Sequence, residues 1–143
     1  MIPILNPRKT KSTQKGDGEM TRQRQVIYDY LMSTKSHPTA EEIYLEVKAN
    51  MPSIAFGTVY RNLSLMTKAG EIRKITIPEH PDRYDGDMEA HDHLMCTKCT
   101  KLCDIPPIEN VVLPKGIPDG TVILGCEVTV KTICPECINN VNL

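Results

Sequence analysis

The amino-terminal half of the chain carries apolar residues at helical spacing. Ile27 and Leu31 lie four residues apart on one stripe, which predicts a helix over residues 21–34. A second helix is predicted to begin after Thr39, because Thr39 and Glu42 stand at the spacing of a capping box. The two patterns together indicate a pair of short helices joined by a turn.

A third amphipathic segment is followed by residues that favour strands. The third helix is predicted from about residue 57 to residue 69, with Gly70 as its C-cap. Residues 71–77 predict a strand, and a turn over 78–81 returns the chain to a partner strand at 83–85. A helix–turn–helix followed by a β-hairpin is the arrangement of a winged-helix DNA-binding domain.

The pattern shifts towards strands in the second half. Residues 91–96 and 102–105 predict two short strands, and residues 107–113 predict a short helix. Residues 121–131 form a long β-branched stretch, and the last helical turns are predicted to begin at Cys134. Mixed short strands and helices predict a small α/β domain.

These elements define an α+β fold class with two domains. We expect a winged-helix DNA-binding domain over residues 20–85 and a small α/β dimerisation domain with a four-cysteine zinc site over residues 86–143. Residues 1–19 are basic and lack apolar periodicity, which is typical of a flexible tail. Because these residues lack the apolar region of a secretory signal and no apolar run is long enough to cross a bilayer, we expect a cytoplasmic protein without a membrane partner.

Charge differs between the two halves, although the net charge of the whole chain is −1. Residues 1–78 carry 12 Lys/Arg and 7 Asp/Glu, whereas residues 79–143 carry 5 Lys/Arg and 11 Asp/Glu. A basic half suits DNA, because Lys and Arg displace counterions from phosphates, and an acidic half suits cations. Two unrelated solvated surfaces would give the same asymmetry.

Four of the six cysteines form two C-x-x-C knuckles. Two thiolates from each knuckle complete the tetrahedron of sulfurs that holds structural Zn²⁺. Disulfides or redox dithiols are the alternative, but a reducing cytoplasm favours the metal. Cys103 and Cys126 are left over, either as small buried hydrophobic residues or as reactive thiols. The predicted zinc ligands are Cys96, Cys99, Cys134 and Cys137.

A second candidate metal site has looser spacing. His91 and His93 stand two residues apart on a predicted strand, so that both imidazoles point to one face and Asp92 points to the other. Three imidazoles and two carboxylates suit Fe²⁺, Mn²⁺ or Zn²⁺ and leave a coordination position open. Surface histidines without a metal share this spacing. The candidate ligands are His37, Asp85, His91, His93 and Asp104.

Three segments resemble the ferric uptake regulator family. They are HPTAEEIY at residues 37–44, GTVYRNL at 57–63 and HDHLMCTKC at 91–99, followed in the same order by a late C-x-x-C. The likeness covers about residues 20–140 and implies a dimeric DNA-binding repressor controlled by a metal. It also implies dimerisation through the strand around residues 121–131.

The resemblance implies roles for individual residues. The four cysteines match the structural zinc site, and the five histidine and aspartate candidates match a regulatory site that joins the two domains. The third helix resembles the recognition helix, with Tyr60 at the position that touches bases. The implied DNA-binding residues are Thr58, Tyr60, Arg61 and Asn62.

Within the family, Asp104 points to the peroxide-responsive repressors, because iron and zinc sensors more often carry Glu there. Repressors of that kind use Fe²⁺ to react with hydrogen peroxide, and oxidation of a histidine ligand then releases the iron and the DNA. We therefore expect a homodimer on a palindromic operator, with structural Zn²⁺ and regulatory Fe²⁺ or Mn²⁺. The alternative is an iron-, manganese- or zinc-responsive uptake regulator without peroxide chemistry.

The sequence departs from the family pattern at several positions. No histidine follows His93, which argues against a third metal site of the kind found in several relatives. Gly57 stands where Ala is usual, which weakens the start of the helix. Thr100 replaces the Gly that commonly follows the first knuckle. A zinc hydrolase is the rival from another class, but the chain has no H-E-x-x-H motif, so we expect no enzyme.

Overall fold

The computed structural model describes residues 21–140, which divide into a first unit ending at Met88 and a second unit beginning at Glu89. The predicted tail over residues 1–19 lies outside the described residues. The helices are α1 (Arg22–Ser33), α2 (Ala40–Asn50), α3 (Phe56–Lys68) and α4 (Pro135–Ile138). The strands are β1 (Arg73–Ile75), β2 (Arg83–Asp85), β3 (Asp92–Cys96), β4 (Leu102–Ile105) and β5 (Thr129–Thr132).

Helices α2 and α3 have the caps that the sequence predicts. Oγ1 of Thr39 accepts the N–H of Glu42, and the Glu42 carboxylate accepts the N–H of Thr39, which completes the capping box. Gly70 follows α3 with a left-handed φ of 72°. The N–H of Glu71 then reaches the Met66 carbonyl at 3.0 Å, which satisfies a carbonyl that the helix leaves over.

The apolar faces of α1, α2 and α3 form the core of the first unit. The stripe predicted for the first helix, Ile27 and Leu31, is confirmed, and it is buried together with apolar side chains of α2 and α3. Each such side chain contributes roughly 1.5–3 kcal/mol by leaving water. The buried cluster consists of Ile27, Leu31, Ile43, Val47, Ile54, Val59, Leu63, Met66, Ile72 and Tyr84.

An antiparallel hairpin follows α3. Strand β1 pairs with β2, so that Arg73 lies opposite Asp85. The strand predicted over residues 71–77 is only three residues long, and the connection to β2 contains two prolines, which lack the N–H that a ladder needs. The order of three helices and a hairpin is the one predicted for a winged helix.

The second unit contains a three-stranded sheet in the order β4-β3-β5. The central strand β3 pairs antiparallel with β4 and parallel with β5. The helix predicted over residues 107–113 is wrong, because Asn110 adopts a left-handed φ of 59° that a helix does not tolerate. The predicted strand over 121–131 is too long, since β5 begins only at Thr129, where the pairing with β3 starts.

The apolar core of the second unit is small. Among its described residues, the buried apolar side chains are Met95, Cys96 and Leu102. Val112 and Leu124 are 92% and 67% exposed in the single chain. Hydrophobic burial is therefore a minor source of stability for this unit. Its stability is expected to depend more on its cysteines. No helix over residues 21–140 combines the length and apolar character needed to cross a membrane.

Candidate metal centres

Four cysteine sulfurs converge in the second unit. Cys96 ends β3 and Cys99 lies in the turn to β4, while Cys134 and Cys137 belong to the start of α4. Their ligand atoms lie within 4.8 Å of one another, and the Sγ atoms of Cys99 and Cys134 are 3.8 Å apart. A tetrahedron with Zn–S bonds of ~2.3 Å places its sulfurs about 3.8 Å apart, so the donor set fits zinc. A disulfide of ~2.05 Å would be far shorter.

The thiols of this cluster differ in acidity. The N–H of Cys134 points at Sγ of Cys96 at 3.3 Å, and this donor is the main reason that the pKa of Cys96 is lowered to about 6. The neighbouring side chain of Cys134 is the main cause that raises the pKa of Cys137 to about 12. The backbone therefore stabilises the thiolate of Cys96, and a cation at the centre of the cluster would stabilise all four sulfurs as thiolates.

Strands β3 and β4 bring two histidines to one carboxylate. His93 lies directly opposite Asp104 in the antiparallel register, so their side chains share a face. Nε2 of His93 is 3.3 Å and Nε2 of His91 is 3.5 Å from Oδ1 of Asp104. The alternation predicted for His91 and His93 is therefore present, and all three residues are available as ligands on that face.

The backbone sets the tautomer of His91. Its Nδ1 lies 2.9 Å from the carbonyl oxygen of Glu89. A carbonyl only accepts, so Nδ1 carries the proton and donates it, which leaves the lone pair of Nε2 for a metal ion. The ring is thus prepared as a nitrogen donor before any ion binds.

Asp92 points to the opposite face, as the alternation predicts, and is only 6% exposed. Its Oδ1 accepts the N–H of Val128 at 2.9 Å, and its Oδ2 accepts the N–H of Ile108 at 2.8 Å. Sequence reasoning gave Asp92 no role, since nothing local indicates that these two distant segments reach it.

In the first unit, the loop before α2 is bound to β2. The N–H of Tyr84 donates to the carbonyl of Pro38 at 2.9 Å. This contact places Nε2 of His37 at 3.5 Å from Oδ2 of Asp85, and both side chains are buried. His37 has a left-handed φ of 52°, which is strained for a residue with a side chain and is held by the surrounding contacts. The pair supplies one nitrogen and one oxygen donor.

Helix α3 presents an aromatic and polar surface. Tyr60 is 52% exposed, Arg61 is exposed and Thr58 is partly buried. Asn62 differs, because it is only 7% exposed. Its Nδ2 donates to the Thr58 carbonyl at 2.9 Å, so its side chain is hydrogen-bonded within the helix. Phe56, which the sequence reasoning did not single out, is exposed and its ring lies 6.5 Å from that of Tyr60.

Comparison with known proteins identifies the family. Residues 15–114 of the 143 match the model of the ferric uptake regulator family. The chain belongs to this family. It is therefore a metal-responsive regulator of transcription rather than an enzyme, and the α+β fold class and the family predicted from sequence are confirmed.

Two curated relatives are peroxide-responsive repressors. The repressor of Staphylococcus epidermidis is 33% identical over 129 residues, which cover 88% of this chain and 85% of that protein. The repressor of Staphylococcus aureus is 36% identical over 85 residues, which cover 59% of this chain and 57% of that protein. The second match therefore spans little more than half of the relative.

Solved structures show the same fold. The peroxide stress regulator of Campylobacter jejuni has a TM-score of 0.66 at 26% identity, covering 80% of this chain and 88% of that one. The ferric uptake regulator of Helicobacter pylori has a TM-score of 0.67 at 20% identity, covering 84% and 82%. In this family member, the cysteine cluster suits a structural zinc ion and the histidine and aspartate groups suit a regulatory metal.

Proposed function

We propose that the chain is a homodimeric repressor in the cytoplasm, which binds DNA while a regulatory metal is bound and releases it after reaction with hydrogen peroxide. The observation that carries the proposal is the set of buried imidazoles beside carboxylates, with the Nε2 atoms of His91 and His93 near Asp104. The 33% identity to a peroxide-responsive repressor supports the choice of signal.

The regulatory ion is proposed to be Fe²⁺ or Mn²⁺ held by both units. The first unit offers His37 and Asp85, and the second offers His91, His93 and Asp104. Neither set alone would complete the coordination of such an ion, whereas the five donors together would hold it and leave a coordination position open. Binding energy then favours the arrangement in which both sets are ligands, and this preference couples the metal to the DNA-binding domain.

DNA binding is proposed to use α3 of the domain over residues 20–85. Thr58, Tyr60 and Arg61 are its candidate contacts, while the buried amide of Asn62 is left to the helix. The dimer would place two such helices about 34 Å apart, at the half-sites of a palindromic operator.

The domain over residues 86–143 is proposed to hold the structural Zn²⁺ and to form the dimer. Its segment around residues 121–131 carries apolar side chains that a single chain leaves in water, such as Val122 at 50% and Leu124 at 67% exposure. Burying them against a second copy would add the apolar area that the small core of this unit lacks.

The peroxide response follows from where the ligands lie. Hydrogen peroxide would be the oxidant: one of its oxygen atoms would end on the histidine ring and the other would leave as water. Bound Fe²⁺ would start the cleavage of the O–O bond beside its own ligands by giving one electron, which it would regain when the ring is oxidised. A histidine ring that gains an oxygen atom becomes a poorer donor, and His37 and His91 are the targets that the family resemblance implies. His91 is held against rotation by the Glu89 carbonyl, so its ring stays at the site of oxidation. Loss of His37 as a ligand frees the DNA-binding domain from the ion.

Mass spectrometry tests this mechanism. Iron-loaded protein treated with peroxide should gain about 16 Da, one oxygen atom, on the peptide containing His37 or His91, whereas manganese-loaded protein should not. Loss of DNA binding should follow the adduct in time. The control replaces both cysteines outside the knuckles, Cys103→Ser with Cys126→Ser, and should respond normally.

Three results would contradict the proposal in different ways. A double variant that ignores peroxide while binding iron normally would make a thiol the sensor. Metal-dependent DNA binding without any adduct would favour the alternative, an iron-, manganese- or zinc-responsive uptake regulator. DNA binding that needs no added metal would exclude control of DNA binding by a regulatory metal.

A further inference from the structure

We propose that Asp92 is a positioning residue for the regulatory histidines, because its carboxylate holds two chain segments on the opposite face of β3. The inference rests on the proposed function, since it takes His91 and His93 as metal ligands. Asp92 itself touches no ligand atom of the site and acts through the backbone of β3.

The carboxylate of Asp92 is divided between two donors. Oδ1 accepts from Val128 and Oδ2 from Ile108, and both donors lie outside the strands and helices of the unit. A carboxylate that is 6% exposed is costly to bury, and two charge-assisted hydrogen bonds to backbone N–H groups offset that cost. The arrangement is a clasp between β3, the segment after β4 and the segment before β5.

One segment is held from both sides. The N–H of Val128 donates to Asp92, and the carbonyl of Val128 accepts the N–H of His93 at 3.1 Å. Val128 therefore binds the side chain of Asp92 through its N–H and the backbone of His93 through its carbonyl. The position of His93 depends directly on this contact.

The clasp controls direction as well as position. Asp92 stands between the two histidines, and successive side chains of a strand point to opposite faces. Two hydrogen bonds on one face prevent β3 from rotating about its axis, so both imidazoles on the other face stay directed at Asp104. His91 precedes the first residue of β3 and relies most on this anchor.

The substitution Asp92→Asn removes one of the two hydrogen bonds and can keep the other. Asn keeps the size of the side chain but turns one oxygen into an N–H₂ group, which cannot accept, so one of the two segments is released. In full-length zinc-loaded protein we expect faster hydrogen exchange at Ile108 or Val128, and Mn²⁺ affinity lower by about tenfold or more. Zinc content should stay unchanged. The matched control is Asp119→Asn, an exposed aspartate of the same unit, which should change neither quantity.

A spectroscopic measurement separates positioning from stability. At saturating Co²⁺, the ligand-field absorption bands of Asp92→Asn should shift, because the imidazoles approach the ion from altered directions. A role limited to stability would lower the melting temperature and leave the bands in place. Unshifted bands would therefore overturn the inference, whatever the Mn²⁺ affinity of the variant.

Two further measurements keep the outcome decisive. If His93→Ala binds Mn²⁺ like the unaltered protein, the proposed function itself fails; if only Asp92→Asn binds normally, the role of Asp92 alone fails. Should Asp92→Asn not fold, the unaltered protein decides. Its amides at Ile108 and Val128 should exchange more slowly than their neighbours, and equal rates would exclude the clasp.

Discussion

Replacing Cys134 by Ser should unfold the second unit and leave the first unit folded. Apart from Cys96, a candidate zinc ligand, the buried apolar side chains described for the second unit are Met95 and Leu102, which together contribute roughly 3–6 kcal/mol at the usual value for each side chain. Structural zinc contributes about 10–16 kcal/mol near neutral pH, more than this core. A serine hydroxyl is a poor substitute for a thiolate, so most of the zinc contribution is lost.

Hydrogen exchange with mass spectrometry reads the two units separately. In Cys134→Ser we expect loss of zinc and fast exchange in β3, whereas the amides of α2 stay protected by the ten-residue core of the first unit. The control is Cys103→Ser, an exposed thiol on β4, which should keep its zinc and change stability by less than about 0.5 kcal/mol. A zinc-free Cys134→Ser protein with protected β3 amides would refute the argument.

Four other substitutions test the first unit. Arg61→Ala removes an exposed cation from α3 and should weaken DNA binding with unchanged metal content; normal affinity would mean that α3 or its facing is misassigned. Thr39→Ala removes the N-cap of α2 and should lower the free energy of unfolding, measured with urea, by about 1 kcal/mol. An unchanged free energy of unfolding would show that the cap does not stabilise the protein. Gly86→Ala places a Cβ 2.9 Å from the backbone of Leu31 and should destabilise the first unit by about 1–3 kcal/mol. Its control, Gly57→Ala, meets nothing within 4 Å and should stabilise α3 by up to ~1 kcal/mol. Equal effects of the two substitutions on stability would contradict this reasoning.

Features formed between neighbours in sequence could be predicted. The capping box of Thr39 and Glu42 and the glycine after α3 depend on residues a few positions apart, so their geometry is encoded locally. The same holds for the shared face of His91 and His93, which the two-residue period of a strand requires. The spacing within each C-x-x-C knuckle likewise indicates a chelating pair before any fold is known.

Features formed between distant segments needed the tertiary structure. Nothing near Asp92 in sequence indicates that Ile108 and Val128 deliver their N–H groups to it. The length of β5 was also beyond reach, because a β-branched stretch becomes a strand only where a neighbouring strand supplies hydrogen bonds, and β3 supplies them from Thr129 onward. Local propensity sets what a segment can become, whereas burial and pairing with remote segments, which no short pattern records, decide what it does become.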